Sequence, residues 1–545
     1  MIIPRPTELT PHPGRFVIGP DLHLDVGPGT EAAAELLAGY LGRGRARSAA
    51  GPRIELSLSP GTTPDHAAGT PTAGTPAAGN QSADNQGYTL RIRPDLVTLA
   101  SPGVAGLLNG VQTLRQLLPP AALDPANAGP QDWWWPCADV RDRPRLAWRG
   151  ALLDVARHFL PLEFLYRFVD ELALHKLNVF QLHLNDDQGW RIEIDGLPRL
   201  TEVGAWRAES ALGPGGQMPG NGTPHGGYYT QAELRGLVSY ARVRGVSVVP
   251  EITMPGHARA VLAAYPELGN HPERTLPVWT NWGISEDILA ASDQALDFGR
   301  QVLAQTMDVF PSRYVHIGGD ECPTVQWQRS PQARERARQL GLGSPAELHG
   351  WFLRQLQEFL ARGGRRAMAW DEKGYAAEAP LSGMVLSAWR DPAHGALAVA
   401  RGHQVVMTPH LSTYFDYPQT DDPAEPQGQP GGTVTLADVY AFDPLAGGLP
   451  AADPAGDAGP GVLGTQAALW TEYAPTPEHV TYLTYPRLCA LAEVAWTDGP
   501  RDFAEFRGRL DHHRKRLGAL GVAPRRPRPM ADRSPALRHP GTMDR

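Results

Sequence analysis

Eight short apolar runs, each leading into polar or aromatic residues, set the terms for what this chain can fold into. They are Gly150–Val155, Asn178–Leu184, Val246–Ile252, Tyr314–Ile317, Arg366–Trp370, Met384–Trp389, Gln404–Met407 and Gly461–Trp470. Between them, apolar residues recur at helical spacing in Leu162–His175, Gln231–Arg244, Asp293–Phe310 and Ala346–Arg362. Strand–helix alternation of this kind predicts parallel strands joined by helical crossovers. Eight such units predict an α/β chain built as a closed (β/α)8 TIM barrel, expected over residues 146–500. A Pro-, Gly- and Asp-rich insertion at 417–460 reads as a long surface loop in the last crossover.

Residues 1–145 read as a smaller α+β domain. Arg53–Ser59 and Tyr88–Arg93 alternate apolar and polar residues as half-buried strands do, and Leu96–Ala100 is a third strand. Gly103–Leu118 carries a helical period. Residues 60–87 are Gly, Ala, Thr, Pro and Asn almost throughout, a composition expected to form a flexible loop. Pro119–Pro136 contains a second linker-like segment and ends in Trp133, Trp134 and Trp135, for which packing between domains is favoured over a sugar platform. Residues 501–545 are expected to form a C-terminal helix and tail.

Composition narrows the function classes. A net charge of −8, with the 47 arginines scattered and only three lysines, gives no basic surface for nucleic acid or anionic lipid. Three cysteines cannot build a disulfide framework or a zinc cluster. No run is apolar enough for a membrane helix or a signal peptide, so the expectation is a soluble, cytoplasmic protein, or a secreted one if a leader has been trimmed.

In a barrel of this type, chemistry belongs at the C-terminal ends of the strands. In chain order those ends carry Arg157-His158, Asp186-Asp187, Glu251 with His257, Asp320-Glu321, Trp370-Asp371-Glu372, Trp389, Tyr414 with Asp416, and Trp470-Thr471-Glu472. Trp370, Trp389, Trp470 and Tyr414 can wall a pocket with flat apolar faces that suit a sugar ring. Arg157, Asp416 and Glu472 can read hydroxyls through charge-assisted hydrogen bonds. His183-Leu184-Asn185 lacks a second histidine, no H-E-x-x-H occurs, and Gly318-Gly319 form neither a P-loop nor a dinucleotide fingerprint. Neither a metal nor a nucleotide cofactor is expected. His12, His23, His512 and His513 fall outside the proposed site and read as solvated.

Val315-His-Ile-Gly-Gly-Asp-Glu321 resembles the signature of the family 20 glycoside hydrolases, the β-N-acetylhexosaminidases. Leu153–Phe159, His183–Arg191, Glu251–His257, Trp389, Tyr414-Phe-Asp416 and Leu469–Glu472 fall in the same order as that family's motifs. The resemblance covers about residues 145–500, and residues 1–145 resemble the non-catalytic domain that precedes the family's barrel. It implies exo-acting, retaining hydrolysis of terminal, non-reducing N-acetylhexosamine residues, GlcNAc or GalNAc, from an oligosaccharide or glycoconjugate. The substrate's own acetamido carbonyl would attack C1 to give an oxazolinium intermediate. In that scheme Glu321 is the general acid/base, Asp320 holds the acetamido N–H, and Tyr414 donates to the acetamido oxygen. Trp370 and Trp389 pack around the acetamido methyl while Trp470 supports the ring. Arg157 binds the C3 and C4 hydroxyls, and Asp416 and Glu472 contact the C4/C6 side. Asp186 and His257 form a pair behind Glu321, read equally as tuning its proton affinity or as a structural hydrogen bond.

Two departures stand out. Asn185 replaces a small hydroxyl residue, and residues 417–469 lack the pocket tryptophan that many members carry there. Tyr440 and Phe442 are the candidate substitutes. Cys322 reads as an inert buried thiol rather than a reactive one. Two alternatives stay open at this point: a glycosidase for sugars without the acetamido group that uses a carboxylate nucleophile, and an inactive carbohydrate-binding barrel.

Overall fold

The computed structural model describes residues 2–42, 51–59, 83–127, 133–213, 218–372, 383–452 and 459–522. Its larger part is a closed, all-parallel barrel of eight strands. In chain order they are Trp148–Asp154, Val179–His183, Ser247–Glu251, Tyr314–His316, Arg366–Trp370, Val385–Ala388, Gln404–Met407 and Gly461–Leu469. Each falls on one of the eight apolar runs. Helices Leu162–Leu174, Gln231–Arg242, Asp293–Val309 and Leu348–Arg362 follow strands one, two, three and four respectively, as the helical periods predict. Trp148, Val179, Val249, Tyr314, Met368, Val385, Val406 and Leu463, one residue from each strand, form a separate buried cluster that fills the barrel interior. Only the barrel axis offers such a meeting point, so the barrel is a packed core with its working surface at the strand ends.

The N-terminal domain is a six-stranded sheet ordered Glu8–Ile18, Trp133–Asp142, Tyr88–Ile92, Leu96–Ser101, Arg53–Leu58, His23–Val26. Helices Glu31–Tyr40 and Val104–Leu117 bury Leu36, Leu37, Leu107, Val111 and Leu114 in its core. The strand Glu8–Ile18 escapes the alternation test because it holds Pro11 and Pro13. It is an edge strand whose register slips between Pro11 and Arg15, the setting in which a sheet tolerates proline.

Several sequence expectations need correction. Trp133–Trp135 begin a strand of the N-terminal sheet, and Trp135 belongs to that domain's buried core, in a cluster that also takes in Trp496. Trp135 donates its Nε1–H to Leu114 O (2.9 Å) and stacks on Phe16, while Trp134 is 39% exposed. The expected flexible loop lies mostly outside the described residues, which resume at Ala83 in a short 3-10 turn with Gln86 buried. The 417–460 insertion, described except for 453–458, is packed rather than a surface loop. It contains helix Leu436–Ala441 and buries Tyr417, Val434, Val439 and Phe442, and Arg487 donates to Tyr417 O (2.9 Å) and Val434 O (2.7 Å). Helix Phe503–Ala519 folds back on the barrel. His513 on it is buried, not solvated, with Nε2 2.9 Å from His175 Nε2.

Trp496, from the last barrel helix, is the indole that joins the domains: its Nε1 donates to Asp142 Oδ1 at 2.8 Å. Lys176 completes the joint. It occupies a left-handed position (φ 57°) just past helix Leu162–Leu174, where glycine is the usual residue. From there its ammonium reaches Asp142 Oδ2 (2.7 Å) and Tyr88 OH (2.9 Å), with the Trp496 ring 4.6 Å away. All of these side chains are buried. Burial lowers the Lys176 proton affinity, and Asp142 counters that by favouring the ammonium. Lys176→Met strands the Asp142 carboxylate in a dry interface, so it is expected to destabilise the chain by about 3–5 kcal/mol. Denaturant unfolding of the variant checks this.

Candidate active site

Above the apolar plug the barrel interior turns polar, and one hydrogen-bonded chain runs from it to the strand ends. Trp148 Nε1 donates to Gln466 Oε1 (3.1 Å), Gln466 Nε2 to Gln181 Oε1 (2.7 Å), and Gln181 Nε2 to Glu251 Oε2 (2.7 Å). A Cβ on Gly150 would lie 2.4 Å from Gln466 Oε1, so glycine there makes room for the chain. The fully buried Glu251 carboxylate also accepts from Trp370 Nε1 (2.7 Å) and faces His183 Nδ1 at 3.1 Å. Burial alone would raise this carboxyl; the His183 and His316 imidazoles outweigh it and hold it at about 2.

The relay continues outward through charged pairs. His183 Nε2 lies 3.1 Å from Asp186 Oδ2, and Asp186 Oδ1 lies 3.2 Å from His257 Nδ1. His257 Nε2 then faces both Asp320 Oδ2 (3.7 Å) and Glu321 Oε2 (3.8 Å). Burial pushes His257 down, but Asp186 and Asp320 prevail and hold its imidazole protonated well above the ordinary range. Asp186 is driven the other way: burial would raise it, and Arg157 and His257 bring it well below. The predicted Asp186–His257 pair therefore stands directly behind the two carboxylates.

Neighbouring residues on a strand point to opposite faces, so Asp320 and Glu321 cannot share a target unless the strand has ended. It has. The fourth strand stops at His316, Gly318 and Gly319 take φ of 68° and 87°, and Glu321 itself has φ 45°. These left-handed residues turn the chain so that one oxygen of each carboxylate and a nitrogen of His257 lie within 4.8 Å of one another. His257 (φ 49°) is strained in the same way, and a non-glycine residue in such a conformation costs about 1–3 kcal/mol. Gly318 has no room for a side chain, since a Cβ there would lie 1.9 Å from Thr253 Oγ1. Gly318→Ala is expected to displace the loop and lower kcat by about 10²-fold, the scale of misplacing a catalytic group by about 1 Å. Steady-state kinetics on an aryl substrate provides the check.

Near the acid pair, Trp370, Trp470, Tyr414 and Trp389 make a continuous aromatic wall. Centroid separations are 5.7 Å for Trp370–Trp470, 6.1 Å for Tyr414–Trp470 and 6.4 Å for the near-parallel Trp389–Tyr414 pair. Burial, then Asp416, pushes the Tyr414 phenol well above its ordinary range, so it acts as a donor. Arg157 sits over Trp470 with its guanidinium carbon 5.1 Å from the ring, and pairs with Asp186 (3.0 Å) and more loosely with Glu472 (3.8 Å). Burial raises Asp416, and the Glu472 charge adds to it. Burial also raises Glu472, against the pull of Arg157. Asp320 Oδ1, Asp416 Oδ1 and Trp389 Nε1 are buried without a hydrogen-bond partner among the described residues. Buried polar atoms are ordinarily paired, so these three mark where a polar ligand fits.

The predicted site residues thus meet at one end of the barrel, while the proposed substitutes for the missing tryptophan do not. Tyr440 donates its hydroxyl to Asp502 O (3.0 Å) and packs on Phe503 and Phe506 in the C-terminal helix, and Phe442 lies in the hydrophobic core. Asn185 pairs both ways with the Thr253 backbone, giving to its O (3.0 Å) and accepting from its N–H (2.9 Å), a bridge that a lone hydroxyl cannot make. Cys322 is half-buried rather than fully buried, and desolvation is the main influence that raises its thiol and disfavours the reactive thiolate. Asp154 was missed as a site residue. Its Oδ1 accepts from the Ala156 and Arg157 backbones (2.8 and 3.1 Å), and its Oδ2 from Thr471 N (3.0 Å), tying the Arg157 loop to the eighth strand. Its place at the end of the first strand was the available signal.

Ligand-type atoms also cluster closely enough for an ion at Asp186–Asp187–His257, His257–Asp320–Glu321 and, outside the site, His175–Cys489–His513. Ligation requires a neutral imidazole, whereas the carboxylates around His257 favour its protonated form.

Paired carboxylates against an aromatic wall at the top of a barrel define a carbohydrate hydrolase site. The model of the glycosyl hydrolase family 20 catalytic domain matches residues 146–499, and that of the family's domain 2 matches residues 1–143. The chain belongs to glycosyl hydrolase family 20. It is 40% identical over 440 residues to a beta-hexosaminidase of Porphyromonas gingivalis, covering 80% of this chain and 54%, about half, of that protein's length. It is 32% identical over 525 residues to a beta-N-acetylhexosaminidase of Cellulomonas fimi, covering 94% of this chain and 93% of the relative. The crystal structure of an exo beta-N-acetylglucosaminidase from Vibrio harveyi, in complex with N-acetylglucosamine, superposes with a TM-score of 0.81 at 28% identity. That match covers 96% of this chain and 78% of the other.

Proposed function

We propose that this chain is an exo-acting β-N-acetylhexosaminidase that releases terminal, non-reducing N-acetylhexosamine by substrate-assisted, retaining catalysis. The observation that carries the reading is that Asp320 and Glu321 approach from one strand end and face the same His257 nitrogen. A two-carboxylate retaining glycosidase needs its acid and its nucleophile on opposite sides of the anomeric carbon, about 5 Å apart. Neighbouring residues on one turn cannot straddle a sugar in that way. They suit a division of labour in which the nucleophile is the substrate's acetamido oxygen. Asp320 accepts the acetamido N–H and stabilises the charge that develops on it. Glu321 protonates the leaving oxygen, then deprotonates the incoming water. Tyr414 donates to the acetamido oxygen, and Trp370 and Trp389 enclose its methyl. Trp470 stacks on the sugar ring, with Arg157, Asp416 and Glu472 at its outer hydroxyls. Those charged groups close the non-reducing end, which makes cleavage exo.

The test is a comparison of aryl N-acetyl-β-glucosaminide with the plain aryl β-glucoside. Turnover of the acetamido substrate alone is expected. Turnover of the plain glucoside alone would overturn the proposal in favour of a carboxylate nucleophile, and turnover of neither would favour a carbohydrate-binding barrel.

A further inference from the structure

Two charged side chains beside the acid loop have no part in the chemistry above. Glu372 follows the fifth barrel strand and Arg390 follows the sixth. Arg390 Nη2 donates to both Glu372 oxygens at 2.9 Å, and Arg390 Nη1 donates to Asp371 O at 2.8 Å. The guanidinium carbon lies 4.3 Å over the Trp389 ring. On its other side, Glu372 Oε1 accepts the backbone N–H of Glu321 at 3.3 Å. The two side chains are only 15% and 21% exposed. An exposed ion pair would add little, about 0–1 kcal/mol, but this one is sheltered and ends on a residue held at φ 45°. A strained residue persists only when its surroundings enforce it.

We propose that Glu372 and Arg390 are positioning residues. Glu372 holds Glu321 in the turn that aims its carboxyl at the leaving oxygen, and Arg390 fastens Glu372 to the Trp389 wall. The acid and the acetamido pocket are thereby registered to each other through strands five and six. This rests on the substrate-assisted reading and adds to it the parts that set the acid's aim.

The pair also acts on Asp320 through space. Asp320 is faced by His257 and Glu251 from the third strand and its loop, Glu321 and Cys322 on its own loop, Tyr414 beyond the seventh strand, and Glu372 from the fifth. Burial is the main influence raising Asp320, the His257 charge opposes it, and Glu321, Glu251 and Glu372 add to it. Removing the Glu372 charge therefore favours ionised Asp320, whereas removing Arg390 leaves Glu372 uncompensated and disfavours it.

The experiment compares full-length wild type with Glu372→Ala, Glu372→Gln and Arg390→Met. Its substrates are the N-acetylglucosamine disaccharide, which has a poor leaving group, and the 2,4-dinitrophenyl glycoside, which needs no acid. Glu372→Ala is expected to lose kcat/KM by about 10²-fold on the disaccharide, the scale of general-acid assistance, and only a few-fold on the aryl glycoside. Glu372→Gln keeps an oxygen for the Glu321 N–H and should restore most of that loss. The acid limb of kcat/KM should move to lower pH in Glu372→Gln and to higher pH in Arg390→Met. Equal losses on both substrates, or limbs that stay put or move together, would overturn the positioning role while leaving the reaction assignment intact. A wild type inactive on both substrates would overturn both.

Discussion

Glu321→Gln is expected to lower kcat on N-acetylhexosaminide oligosaccharides by about 10²–10⁴-fold, the range that a positioned proton donor supplies. Activated aryl substrates should lose far less in the first step, because their leaving group departs without a proton. Glutamine preserves the shape and the strained backbone of Glu321, so the loss reports the missing proton. Its two steps are separable. Cleavage of a dinitrophenyl glycoside should show a burst, because the intermediate then waits for water that no base activates. Equal losses across leaving groups, with no burst, would contradict an acid/base role for Glu321.

Asp320→Asn is expected to lower kcat by about 10²–10³-fold on all acetamido substrates, the scale of losing one group aimed at developing charge. Burial is the main influence that raises the Asp320 carboxyl above the ordinary carboxylate range, to about 7. Catalysis needs the ionised form, so wild-type kcat/KM should fall on the acid side near that value, and the asparagine variant should lack this limb. The same shift bears on stability. Between about pH 4 and pH 7 the folded chain binds this proton and the unfolded chain does not, so stability falls as pH rises through that window. Asparagine carries no such charge. The variant should therefore melt above wild type at pH 8 and lose that advantage near pH 4, as thermal unfolding at the two pH values would show. A catalytic loss that accompanies a stability gain cannot be put down to misfolding.

Much of the barrel was legible because a buried parallel strand is a continuous apolar run, and each run ends where its strand ends. Val179–His183 and Arg366–Trp370 are read off directly. The site followed, because a side chain at a strand end has few other places to point. What escaped depended on contacts between distant segments. Nothing local in Glu8–Ile18 signals a strand, since pairing with Trp133–Asp142 creates it. The 417–460 segment looks like a loop by composition, yet Arg487 on a later helix takes up its carbonyls. His513 reads as solvated until the last helix docks it against His175. Glu372 was visible as a strand-end carboxylate, but its tie to the Glu321 backbone exists only because left-handed residues bring that N–H around.

The chain is nearly free of primary amines: Lys176, Lys373 and Lys515 are its only lysines. Lys176 is sealed between the two domains under Asp142 and Tyr88. An amine-acylating reagent therefore meets it only when the domains part. Mass-spectrometric tracking of acylation at Lys176, against the exposed Lys515 as an internal clock, turns a buried cation into a gauge of how often the interface opens.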